Sequence, residues 1–219
     1  MSELGCDELL GLALDFCARV TASATHEIKN ELAVINEQAR LVQELLAMAA
    51  QGKEPDLARL EQIIGRVVVR VGQADMAVRR LNAFAHSADL DRTQADAGRE
   101  LGVIAPLFKR IAARHRATLA LESEAPPAPV IGQPLLVEQA MWACLEAVAA
   151  QAEDKEVRLS VQRDGGQVLV RFAAELSGEP QEPPSAVLQP LGAKVRTLAG
   201  GGLELVLPSA QGAGQEEAG

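Results

Sequence analysis

Thr25-His26-Glu27-Ile28-Lys29-Asn30-Glu31-Leu32 lies inside a long run of helical rhythm, and the register of that run decides the fold. Ile28, Leu32, Ile35, Ala39, Val42, Leu46 and Ala49 recur in alternating steps of four and three. That is the heptad spacing of a helix packed along one stripe. His26 stands two residues before Ile28, so it sits beside the stripe and not on it. Its ring is expected to face solvent, with Ala22 and Asn30 as the neighbours one turn away on either side.

The same seam extends upstream through Leu10, Leu14, Cys17 and Thr21, so the first helix is expected from about Asp7 to Ala50. Gln51-Gly52-Lys53-Glu54-Pro55 reads as a tight helix-to-helix turn, punctuated by Gly and Pro. Asp56 is a suitable N-cap for a second helix. That helix carries Leu60, Ile64, Val67, Val71, Ala74, Val78, Leu81 and Ala85, again in steps of four and three. Gly65 and Gly72 interrupt it, each at about 1 kcal/mol relative to Ala, a cost more easily borne where another backbone packs close. Two such helices joined by a short turn form an antiparallel hairpin, assigned to residues 7–88. A lone hairpin leaves much of both stripes wet, whereas pairing two of them into a four-helix bundle covers the stripes, so a homodimer is expected. His86, near the end of the second helix, reads as a surface or helix-end residue.

After a polar linker over residues 87–95 the rhythm changes. Residues 96–114 read as a helix, with Leu101, Ile104, Ala105, Phe108 and Ile111 facing inward. Thr118–Glu122 reads as a short strand, Ala125–Pro129 as a stiff connection and Gln133–Gln151 as a helix. Val157–Val161 and Val168–Phe172 alternate as strands joined at Asp164-Gly165-Gly166. A Pro- and Glu-rich loop spans Glu175–Ser185, a last helix is expected over Ala186–Ala199, and Leu203–Leu207 closes as a strand. Residues 96–208 thus form a second, α/β domain, and 209–219 a small, polar tail expected to be disordered. The fold class is α+β.

Composition narrows the function. The chain has 219 residues, ample for a core, and 48% of them are hydrophobic. Only 2% are aromatic, so the core must be built from Ala, Leu and Val, which suits close helix packing. A formal net charge of −9 argues against nucleic acid as a partner, because phosphate backbones are gripped by clustered Lys and Arg. Cys6, Cys17 and Cys144 have no metal-like spacing and read as small apolar residues of a reducing cytoplasm. No run reaches the length of a membrane span, and the start lacks a basic-then-apolar signal, so a cytoplasmic protein receiving its signal from a soluble partner is expected.

His26 followed by Glu27, with an amide at Asn30 on a sustained heptad helix, resembles the phosphoacceptor box of bacterial sensor histidine kinases, His-Glu-x-x-Asn. There the box lies on the first helix of a dimerisation and histidine-phosphotransfer hairpin. The element order that follows is similar to the family's ATP-binding domain, a small α/β sandwich. Val130-Ile131-Gly132-Gln133-Pro134 stands where the family has Gly-Asp-Pro and a helix start, and Gly200-Gly201-Gly202 resembles its Gly-Gly ahead of a late strand. The resemblance implies that His26 is the phosphoacceptor, that Glu27 orients the ring or accepts a proton, and that Asn30 positions water if the protein dephosphorylates a receiver. Lys29 could attract an acidic receiver surface, and equally could be an ordinary solvated lysine.

The parts that hold nucleotide are missing. The family's Asn on the helix at 133–151 falls, in register with Gln139, at Ala143 or Ala147, and alanine has no oxygen to coordinate a cation. Its Asp-x-Gly-x-Gly should follow Phe172, where this chain reads Glu175-Leu176-Ser177-Gly178-Glu179. Glu175, Glu179 and Glu182 would repel a triphosphate, which needs open N–H groups and positive charge. The expectation is therefore a degenerate domain that binds no cofactor. His26 would exchange a phosphoryl group with the aspartate of a response-regulator receiver domain, which brings its own Mg²⁺, a transfer asking mainly for positioning. An atypical kinase or receiver phosphatase, and a non-catalytic dimeric scaffold or pseudokinase, are the alternatives.

Overall fold

The computed structural model describes residues 3–54, 56–89, 93–122 and 127–210, with side chains from residue 7 onward. Most of the expected tail, at 211–219, and part of the stiff connection before Pro129 lie outside the described residues. The fold is α+β, long N-terminal helices followed by a mixed sheet with helices. It divides into two compact units, one formed by Thr21–Asn82 and the other by Met1–Val20 together with Ala83–Gly219. The first part of the long N-terminal helix is counted with the α/β unit.

Helix α1 spans Glu3–Ala50 and α2 spans Leu57–Ala85. The turn between them closes on Gly52 at φ +86°, a left-handed conformation that glycine adopts without Cβ strain. Asp56 caps α2, its Oδ1 accepting from the Arg59 backbone N–H at 2.9 Å. Within the hairpin unit the covered stripe of α1 runs through Ala24, Glu27, Glu31, Val34, Gln38, Leu41 and Leu45, each buried or half-buried. The stripe counted from sequence lies alongside it and is more exposed: Leu32 keeps 49% of its surface and Leu46 54%. On α2, Ile63 and Ala77 are buried, while Ile64 (53%), Val68 (66%) and Val71 (51%) stay exposed.

The α/β unit is built on a five-stranded sheet of order β2-β4-β5-β7-β6, comprising Thr118–Leu121, Glu156–Asp164, Gln167–Ala173, Gly202–Pro208 and Lys194–Thr197. β2 pairs with β4 in parallel and the other neighbours are antiparallel. α3 (Ala97–Arg114) and α4 (Pro134–Ala149) carry the apolar layer that packs with this sheet: Leu101, Ile104, Phe108, Val137, Met141, Leu145 and Val148 are buried, as are Val157, Leu159, Val170, Phe172, Leu203 and Leu205. Four of the five aromatic residues gather in one place. Phe16 meets Phe84 and Trp142 edge-on at 5.4 and 5.5 Å, and Phe108 meets Trp142 at 4.8 Å, each such pair contributing roughly 0.5–1.5 kcal/mol beyond its burial.

Two features depart from the sequence reading. The helix expected over 186–199 is not formed. Only Ser185–Leu188 is α-helical; a 3-10 turn follows at Gln189–Leu191, Gly192 turns left-handed at φ +58°, and Lys194–Thr197 pairs as β6 along β7. Pro190 cannot donate to a helical ladder and Gly192 stops it, which frees Val195 and Thr197 for the sheet edge. The second departure is a small antiparallel pair, β1 (Gln94–Asp96) with β3 (Pro129–Ile131), each starting at the end of a segment read as linker (87–95) or stiff connection (125–129) and running past it. Asp96 holds it to α3: Oδ1 caps the helix at Arg99 N, 2.9 Å, and Oδ2 accepts from Ala128 N at 2.7 Å.

Among the described residues no helix is long and apolar enough to cross a membrane. Cys144 is buried, and burial pushes its thiol up to about 12; Cys17 is half-buried and raised in the same direction.

Candidate functional site

His26 lies midway along α1 in the hairpin unit and is exposed, as its place beside the stripe requires. Asn30, one turn on and also exposed, brings its amide Nδ2 to 3.1 Å from His26 Nδ1. This contact is local, fixed by the i, i+4 geometry of a helix, and it has two chemical forms. With Nδ2–H donating, Nδ1 is the acceptor and the ring proton sits on Nε2. With the amide turned over, Oδ1 accepts from Nδ1–H and Nε2 carries the free lone pair. Either way Nδ1 is engaged and Nε2 is the ring nitrogen left to a partner. Thr25 takes no part: its hydroxyl donates back to the Thr21 carbonyl at 2.8 Å.

Glu27 turns toward α2. Its Oε1 is 3.8 Å from Arg80 Nη1 on α2, with both side chains partly covered. One turn further, Glu31 Oε2 meets Arg70 Nη1 at 3.2 Å, and the same Arg70 atom donates to Gln73 Oε1 at 2.9 Å. Two acids on the inner stripe of α1 thus each face an arginine of α2. The contact on the His26 ring comes from Asn30, while the Glu27 carboxylate lies toward Arg80. Lys29 is exposed. Arg70 and Arg80 were not picked out from sequence; the one available signal was an arginine beside the apolar stripe of α2, where Arg80 precedes Leu81.

The α/β unit holds a cavity of about 390 Å³ lined by Ala143, Glu146, Ala147 and Gln151 of α4 and its end, by His115 after α3, and by Gln181–Pro184. Ala143 and Ala147 therefore do line a pocket wall, with methyl groups. The Glu146 carboxylate is tied by both oxygens to the Arg19 guanidinium, with Nη1–Oε2 at 3.0 Å. Burial nevertheless holds the Glu146 carboxyl above its usual range, with Arg19 pulling the other way. Glu182 adds negative charge at the rim. Among the described residues no three His, Cys, Asp or Glu side chains converge as a metal site. His86 is a helix-end surface residue, 3.4 Å from Asp89.

No protein-family model and no curated protein matches the sequence. Solved structures with a similar fold include the cytoplasmic segment of histidine kinase QseC, at 16% identity over 63% of this chain and 93% of that one, TM-score 0.42. The Acinetobacter baumannii histidine kinase AdeS is similar at 11% identity over 84% of this chain and 98% of that one, TM-score 0.44. A bacterial phosphotransferase is similar at 14% identity over 88% and 96%, TM-score 0.44.

Proposed function

We propose that the chain is a histidine phosphotransferase of a two-component phosphorelay, in which His26 exchanges a phosphoryl group with a receiver-domain aspartate. One observation carries this reading: an exposed imidazole on a long helix whose Nδ1 is engaged by Asn30 at 3.1 Å, leaving Nε2 as the reactive nitrogen. In the reacting form the Asn30 Oδ1 accepts from Nδ1–H. The Nε2 lone pair attacks the phosphorus of the aspartyl phosphate in line, the P–O bond to the aspartate breaks, and the carboxylate leaves with that electron pair. The Nδ1 proton stays on the ring during attack. The helix supplies the positioning, and the receiver supplies the Mg²⁺ that offsets charge on the phosphoryl oxygens.

A magnesium nucleotide does not fit the residues of the α/β cavity. Its wall offers methyl groups at Ala143 and Ala147, its one α4 carboxylate is engaged by Arg19, and Glu182 would repel a phosphate. The phosphoryl group therefore comes from a partner and not from ATP. The protein is a homodimer in this reading. Ile64, Val68 and Val71 stay exposed on α2, a groove of about 610 Å³ opens between the helices at Val34, Gln38, Gly65 and Val69, and a Cβ on Gly65 or Gly72 would touch nothing among the described residues. A second hairpin covers that surface.

Two incubations test the reading. With radiolabelled ATP and Mg²⁺ the pure protein is expected to acquire no acid-labile label. With a receiver domain charged from radiolabelled acetyl phosphate it is expected to acquire label that His26→Gln abolishes. Label that survives His26→Gln would refute the phosphoacceptor assignment, and His26-dependent label from ATP would make the chain a kinase.

A further inference from the structure

We infer that Arg80 is a positioning residue for the chemistry at His26, acting through Glu27; this rests on the phosphoacceptor reading above. Glu27 is the immediate chain neighbour of His26, so a carboxylate stands beside the ring that must receive a phosphoryl dianion. In water-exposed surroundings the repulsion is modest, yet it opposes every approach of the donor. Glu27 is half-covered on the inner stripe of the hairpin, and the Arg80 guanidinium stands 3.8 Å from its carboxylate. The other acid on that stripe, Glu31, is met by Arg70 at 3.2 Å. The guanidinium does two things. It holds the Glu27 carboxylate on the α2 side of the helix, away from the approach to Nε2, and it offsets the charge that remains. Arg80 is itself partly covered, with 31% of its side chain exposed.

The probe is potassium phosphoramidate, which requires no protein donor. Its P–N bond breaks as the His26 Nε2–P bond forms; ammonia leaves with the electron pair of that bond, and the ring keeps its Nδ1 proton. The rate of phosphohistidine formation on the full-length protein is read by ³¹P NMR, with His26→Gln as the blank. An ion pair this exposed is worth up to about 1 kcal/mol, so Arg80→Gln is expected to slow phosphorylation about two- to fivefold. Arg80→Lys is expected to restore most of the rate. In a Glu27→Gln background there is no carboxylate left to hold or offset, so Arg80→Gln should change nothing further. The Arg80→Gln defect should also shrink in 1 M salt, where screening confines charge effects to roughly 3 Å. A structural defect would respond to neither manipulation. An unchanged rate in Arg80→Gln, or an equal defect in the Glu27→Gln background, overturns the inference and leaves His26 as phosphoacceptor. A wild-type protein that forms no His26-dependent phosphohistidine overturns both.

Discussion

Glu138→Gln is expected to flatten the pH dependence of stability of the α/β unit and to stabilise it above neutrality. Glu138 sits in α4 with none of its surface exposed, its Oε1 accepting from the Ser87 hydroxyl at 2.8 Å. Burial pushes its carboxyl up to about 9; the Ser87 hydrogen bond works in the opposite direction, and the charge and hydrogen bond of the neighbouring Glu100 carboxyl add to the rise. The folded state therefore keeps a proton that the unfolded chain releases near 4.5. Below that value both states are protonated and nothing is lost. As pH climbs from about 5 toward 9, the unfolded state alone ionises, and stability falls by about 1.4 kcal/mol per pH unit. Between pH 6 and 8 the loss is roughly 3 kcal/mol, a large share of the stability of an ordinary domain. Glutamine keeps the shape, keeps an N–H donor in place of the acid proton, and cannot ionise. Trp142, the only tryptophan, is buried one turn along the same helix, so its fluorescence during urea unfolding reports on this unit. The expected result is a free energy of unfolding that falls with pH in the wild type and much less in the variant, the two curves separating from pH 5.5 to 8.5. Parallel curves would refute the argument, because they would mean that Glu138 is not the group holding the proton.

Two further outcomes follow from geometry. Gly202 opens β7 at φ +106°, and a Cβ there would run into the Phe172 carbonyl oxygen on β5; Gly202→Ala is expected to cost at least about 2–3 kcal/mol in the same urea assay, while Gly200→Ala, with open space around it, should cost little. Val68→Asp on the exposed face of α2 is expected to weaken the dimer by about 100-fold or more in sedimentation equilibrium, since two-fold symmetry applies the loss of about 1.5–3 kcal/mol per buried side chain twice, and unchanged self-association would place the interface elsewhere.

Elements set by local rules were legible in the sequence. The two long helices, the Asp56 cap, the strand pair around Gly165 and the apolar face of α3 all follow from periodicity and turn chemistry. So did the neighbourhood of His26 and Asn30, since residues four apart on a helix meet whatever the tertiary fold. The misread segment was 186–199, where a run of Val, Leu and Ala resembles a helix until Pro190 and Gly192 are weighed together with a vacant sheet edge beside β7. β1 and β3 are three residues each, too short to carry a period. The cross-hairpin pairs Glu27–Arg80 and Glu31–Arg70 could not be read, because partners 53 and 39 residues apart depend on how the turn sets the register of two helices.

The seam itself shows why a pattern can be right and its meaning shifted. The stripe counted from sequence is real, but within one hairpin it is the more exposed of two adjacent stripes. The covered stripe carries Glu27, Glu31 and Gln38 among its apolar members, and Gln38 buries a carbonyl oxygen that has no hydrogen-bond partner among the described residues. Ion pairs this exposed are worth about 1 kcal/mol or less each, and an unpaired buried acceptor costs about 1–3 kcal/mol. Polar groups thus share the inner stripe with Val34, Leu41 and Leu45, while Leu32, Leu46, Ile64 and Val68 stay exposed. On the proposed homodimer reading a second copy would cover Leu32, Leu46, Ile64, Val68 and Val71, while Glu27 and Arg80 meet on the covered side of the helix that carries His26.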